Sequence, residues 1–99
     1  MAPEFEWDAT KAKQNLKDHG VTFGEALTVF ADPLARIFDD PDHSYDERRE
    51  LIIGHSGQER LLIVSSTERG RRTRIVSARK TTKRERRDYE ENIKKQAST

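Results

Sequence analysis

Five arginines, Arg69, Arg71, Arg72, Arg74 and Arg79, fall within the eleven residues that end at Arg79. Each guanidinium is a rigid cationic fork that matches two oxygens of a phosphate and stays charged at any physiological pH. Such a cluster can hold a nucleic-acid backbone and stabilise the charge that builds on a phosphorane during cleavage. The plainer alternative is a solvated turn whose arginines pair with acidic residues. In an extended strand Ile75, Ser77 and Arg79 should share one side, with Arg74, Val76 and Ala78 on the other. Three histidines, His19, His43 and His55, are available for proton transfer near neutrality. His19 closes a helix, where capping the last carbonyls is the competing role, and His55 ends a strand beside Gly57. His43 lies in the acidic run Asp39 to Glu47. Tested against the calcium-loop template from Asp40, that run fails: Tyr45 stands at the glycine position and Leu51 where the bidentate Glu belongs. No metal-ligand spacing, glycine-rich phosphate loop or Ser/His/Asp grouping stands out, so neither metal nor cofactor is expected.

The elements that must carry these residues follow from the hydrophobic pattern. Phe5-Glu6-Trp7 alternates as a short edge strand does. Asp8 can cap a helix to about His19, closed by Gly20, with Ala9, Ala12, Leu16 and His19 on one face. Thr22 and Glu25 form a capping box that opens a second helix, with the stripe Phe23, Ala26, Leu27, Phe30, ended by Asp32-Pro33. Four strands are expected next: Leu34 to Phe38, Arg48 to His55, Arg60 to Ser66 and Thr73 to Arg79. The run Leu61-Leu62-Ile63-Val64 marks a strand buried on both faces. Short connections predict an antiparallel meander. Thr82 and Glu85 form another capping box for a last helix to about Gln96. Only Tyr89 and Ile93 give that helix an apolar face, so it is expected to be exposed, loosely docked or held by a partner. The fold class is α+β, with two N-terminal helices on an antiparallel sheet of about four strands and a C-terminal helix.

Ninety-nine residues, 32% hydrophobic and 37% charged, predict one domain (1–99) with a thin core. Without cysteine there is no disulfide framework and no thiolate metal site. No stretch approaches the length of a membrane span, and no secretory signal is evident, so a cytoplasmic protein is the default. The net charge of +1 conceals an asymmetry. Residues 1–68 hold seven Lys/Arg against fourteen Asp/Glu, and residues 69–99 hold twelve against four. The basic third is the footprint of a polyanion partner, unless the two parts neutralise each other across the fold.

Taken in order, Phe5-Glu6-Trp7-Asp8, Lys11, Asn15, His19-Gly20-Val21, Phe23, Glu25-Ala26 and Phe30-Ala31-Asp32-Pro33 resemble the amino half of BrnT-type toxins. Glu47-Arg48-Arg49, Ile53-Gly54, Arg69, Arg74 to Arg79, Glu85-Arg86 and Tyr89 resemble the remainder, with Thr81 and Thr82 departing from the pattern. The resemblance spans about residues 5–90. It implies a RelE-like ribonuclease toxin that cleaves RNA without metal, by attack of a ribose 2′-hydroxyl on the adjacent phosphate. It also implies a BrnA-type antitoxin with a ribbon-helix-helix part, through which alone operator DNA is bound.

Carried over by position, Arg69, Arg79 and Ser77 are the expected catalytic groups, with His19 or Glu47 as general base. Arg48, Arg49, Arg71, Arg72, Arg74 and Arg86 are the expected RNA contacts. A reading from a different class is a non-catalytic RNA- or ribosome-binding module, which needs the arginines but no proton-transfer group. The single aromatic residue of the basic third, Tyr89, argues against a base-stacking platform. A third use of the basic face, compatible with catalysis, is to dock the antitoxin.

Overall fold

The computed structural model describes residues 4–40 and 48–97. The chain runs β1 (Glu4–Glu6), α1 (Ala9–His19), α2 (Phe23–Val29), β2 (Arg36–Asp39), β3 (Arg49–His55), β4 (Leu61–Arg69), β5 (Arg72–Lys80) and α3 (Lys83–Ala97). The strands form one sheet in the order β1-β5-β4-β3-β2. It has five strands rather than about four. β2 to β5 make the antiparallel meander, and β1 joins it parallel to β5, Phe5 opposite Thr73. Segment 41–47, which holds His43 and Glu47, lies outside the described residues.

Local signals close the helices as their residue types dictate. Asp8 accepts a hydrogen bond from Lys11 N at 2.9 Å, and Gly20 ends α1 in the left-handed region at φ 69°. Thr22 Oγ1 accepts from Glu25 N at 3.0 Å. The face that α1 buries is the expected one only at Ala12, which packs against the core. Leu16 is 48% exposed, and Asn15 is the buried residue. Its amide bonds both backbone groups of Ala78, accepting from N at 3.0 Å and donating to O at 2.8 Å. β1 is only three residues long and pairs β5 as far as Arg74. Asn15 continues that edge, and a buried edge left unpaired would cost more than the burial of one leucine gains.

The core lies between the α1–α2 hairpin and one sheet face. Val21, Phe23, Ala26 and Val29 pack there against Ile52, Leu62, Val64, Ile75 and Ala78. β4 is central, and its apolar run serves both faces: Leu61 and Ile63 meet α3 on the other side, with Ile53 and Tyr89. α3 is anchored by Tyr89, 5% exposed, whose hydroxyl donates to Leu34 O at 3.1 Å. Among the described residues no helix is long and apolar enough to cross a membrane.

Candidate functional site

Among the described residues, the face opposite the α1–α2 hairpin is covered by α3 at one end only, which leaves its other end open. Cross-strand register fills it in rows. Arg49, Thr67 and Arg74 lie side by side across β3, β4 and β5; Leu51, Ser65 and Ser77 form the next row; Ile53, Ile63 and Arg79 form the one that meets α3. Strict alternation would have put Arg74 on the opposite side from Ser77 and Arg79. The β4–β5 register shifts between Ser65 and Ser66, leaving Val76 without a β4 partner. One extra residue inverts the alternation beyond it. Ile75 and Ala78 therefore both enter the core, while Arg74, Ser77 and Arg79 share the open face.

Arg79 is held by Glu85, at the start of α3. Its Nη1 and Nη2 donate to the two carboxylate oxygens at 2.8 and 2.9 Å, and Nη1 also donates to Lys80 O at 3.2 Å. A guanidinium has five N–H donors, so this grip leaves the Nε–Nη2 edge for a second acceptor such as phosphate. Glu85 also closes the capping box with Thr82, accepting from Thr82 N at 2.8 Å. The Arg79 hydrogen bonds, above all, bring its carboxyl down to about 2. At neutral pH it is a fixed anion that orients Arg79 and a very weak base. On β5, Arg74 Nη2 donates to Glu6 at 3.0 Å and Arg72 Nε to Glu4 at 3.4 Å. Three buried polar atoms have no hydrogen-bond partner among the described residues: Thr67 Oγ1, Arg74 Nε and Arg36 Nη2. By register all three residues belong to this face. Buried donors in this state are uncommon and suit an acceptor supplied from outside.

The remaining expected residues are dispersed. Arg69 pairs in register with Arg72 at the hairpin end of the β4–β5 ladder, six β4 positions from the partner of Arg79. That is about 20 Å along a strand, so the two arginines meet different parts of a ligand. Arg71 is exposed in the turn beside Gly70, and Arg86 is exposed on α3, 3.6 Å from Glu90. Arg48 lies 3.4 Å from Asp39 and borders a cavity with Glu50 and Glu68, apart from Arg49. His19 is exposed at the end of α1, on the hairpin side of the sheet. Glu47 lies outside the described residues. His55 ends β3 with Nδ1 3.8 Å from Asp32, its ring edge-on to that of Tyr89. Reading the sequence missed Ser65, Thr67 and Arg36. The change from Leu61–Val64 to Ser65-Ser66-Thr67 within one strand was the available signal, since it marks where the strand leaves the apolar core. Among the described residues no group of three or more His, Asp and Glu side chains converges to hold a metal ion.

The fold and this face can be set beside known proteins. A comparison with curated protein sequences gives no match. The crystal structure of the Brucella abortus ribonuclease toxin BrnT is similar in fold, with a TM-score of 0.65 at 19% identity; the match covers 83% of this chain and all of that one. The model of the BrnT family, the ribonuclease toxins of type II toxin–antitoxin systems, matches residues 7–85. The chain belongs to the BrnT family of ribonuclease toxins.

Proposed function

We propose that this chain is a RelE-like RNA endonuclease whose active surface is the open face beside α3, working without metal by 2′-hydroxyl attack on the neighbouring phosphate. The observation that carries the reading is the convergence of Arg49, Arg74, Arg79, Ser65 and Ser77 on one sheet face, in a member of a ribonuclease family. Arg79, its plane set by Glu85, holds the scissile phosphate through its Nε–Nη2 edge and stabilises the phosphorane. Ser77, two residues away on the same face, adds a hydrogen bond. Arg49 and Arg74 grip the flanking backbone, and Arg69, Arg71 and Arg72 meet RNA further along the β4–β5 hairpin. His19 stands on the hairpin side, so Glu47 is the proposed proton acceptor, two residues before Arg49 in sequence. Membership in a type II system implies an antitoxin partner. A BrnA-type antitoxin that covers this face would silence the enzyme in the cytoplasm.

The test is induced expression in bacteria, with growth and total RNA followed. Arg79→Ala should abolish growth arrest and lower cleavage in vitro about 100- to 1000-fold, the usual cost of removing one group that stabilises transition-state charge. The double variant R79A/E85Q, which leaves no lone carboxylate, controls for folding. Cleavage should persist in EDTA and stop when the attacking 2′-hydroxyl is replaced by hydrogen. Undiminished toxicity of a folded Arg79→Ala protein overturns the assignment.

A further inference from the structure

Beside Arg79 the sheet face is not flat. A groove of about 240 Å³ runs between the sheet and α3. Leu51, Ile53 and Ile63 form its apolar floor, and Ile63 is the cross-strand partner of Arg79. The ring of Phe38, 53% exposed, stands at its rim on the edge strand β2. α3 contributes two carboxylates, Glu85 and Asp88, beside Tyr89 and the amide of Asn92. Arg36 borders the groove, and its buried Nη2 has no hydrogen-bond partner among the described residues.

We infer that this groove takes a guanine base, that of the nucleotide whose phosphate lies at Arg79; the inference rests on the reading of that face given above. The carboxylates repel phosphate, so the part of an RNA that enters is its uncharged part. An apolar floor with a half-exposed phenyl ring suits an unstacked nucleobase, the portion of single-stranded RNA that proteins bind by stacking. The polar groups then choose among the bases. Arg36 needs acceptors, and arginine pairs with the O6 and N7 of guanine. Asp88 can accept N–H donors, and guanine alone offers two adjacent ones, N1–H and the exocyclic amine, beside its O6. Adenine presents an amine where guanine has O6. Cytosine and uracil have no N7 and no such adjacent pair of donors. Glu85 is engaged by Arg79 and Thr82, which leaves Asp88 as the discriminating carboxylate. Asp88 is therefore a specificity residue, Phe38 the stacking surface, and cleavage falls next to guanosine.

Calorimetric titration of the full chain with the four nucleoside 3′-monophosphates tests this directly. Guanosine 3′-monophosphate should bind about ten-fold more tightly than the other three, the scale of one good bidentate contact. Asp88→Asn, a change at an exposed position, should level guanosine with adenosine. Phe38→Ala should weaken all four about ten-fold, as loss of one stacking contact does. Inosine 3′-monophosphate, which lacks the exocyclic amine, should fall between. Equal affinities, no binding at millimolar concentration, or a guanine preference that survives Asp88→Asn overturns the inference. Arg79→Ala separates it from the reading it rests on. Weaker binding of all four with their ratio unchanged supports both. A preserved guanine preference with cleavage and affinity unaffected keeps the groove and removes Arg79 from the phosphate.

Discussion

Glu85 shows how much one carboxylate can do at the residue scale. It caps α3, fixes the plane of Arg79 and lines the groove, and all three depend on its charge. Its folded pKa of about 2 lies below the ordinary value of 4.5. The stability it contributes is therefore fully present above about pH 4.5 and is lost as the pH falls toward about 2. Glu85→Gln should flatten that part of the profile. Thermal melts of the two proteins between pH 5 and pH 2 should converge at the acid end, and parallel curves would show that the Arg79 pair contributes nothing to folding. Tyr89 behaves in the opposite sense. Burial pushes its hydroxyl up from the ordinary phenol value, so it remains a neutral donor to Leu34 at any pH at which the protein works.

At the scale of elements, the joint between α2 and the β3–β4 turn is built on two close contacts. Glu25, buried at the start of α2, is bonded by Arg60 Nε at 2.8 Å, by a second Arg60 nitrogen, and by Ser56 Oγ at 2.7 Å. Arg60→Met would leave the buried Glu25 carboxylate without its partner and should destabilise the protein clearly, whereas E25Q/R60M should lose much less. Equal losses in chemical denaturation would deny the pairing any role. Gly54 supplies the second contact. A Cβ there would meet Ala35 Cβ at 2.9 Å, Asp32 Oδ2 at 3.0 Å and Val29 Cγ1 at 3.2 Å. Gly54→Ala should destabilise by about 1–3 kcal/mol. Gly57→Ala is the matched control, because its Cβ would stand 3.6 Å from Thr28, an ordinary contact; its midpoint in denaturant should barely move. Neither glycine lies in the proposed catalytic face, so these variants separate folding from cleavage.

For the whole molecule the question is how the acidic and basic parts of the chain are arranged. They neutralise each other in part: Glu4 and Glu6 on β1 pair with Arg72 and Arg74 on β5. The β1 strand thereby tempers one edge of the arginine face. RNA affinity should fall with salt, by about 0.7 in log K per decade of salt for each phosphate neutralised on a single strand. Arg49→Ala should reduce that slope by about 0.7. Arg48→Ala should leave it unchanged, because Arg48 is turned toward Asp39, Glu50 and Glu68. Equal effects from these two neighbouring arginines, measured with a short uncleavable oligonucleotide, would place the RNA elsewhere.

Much of this was legible in residue order alone. Asp8, Gly20, the Thr22 cap, the Thr82–Glu85 box and the Leu61–Val64 run act locally or through simple periodicity, so the helices, the meander and the central strand could be read directly. The Thr22–Glu25 box forms only by half, because Arg60 and Ser56 take the Glu25 carboxylate. The density of arginines up to Arg79 likewise marks the segment proposed to contact RNA. What only the tertiary structure decided was which residues meet. The Ser65/Ser66 register shift arises from pairing between two strands, and it carried Arg74 to the side of Ser77 and Arg79. The parallel pairing of β1 with β5 joins residues some seventy positions apart, and that edge explains why Asn15 rather than Leu16 is buried. The groove beside Arg79 needs β2, β3, β4 and α3 together. Periodicity tells which side of its own strand a residue takes; only long-range register tells what stands beside it.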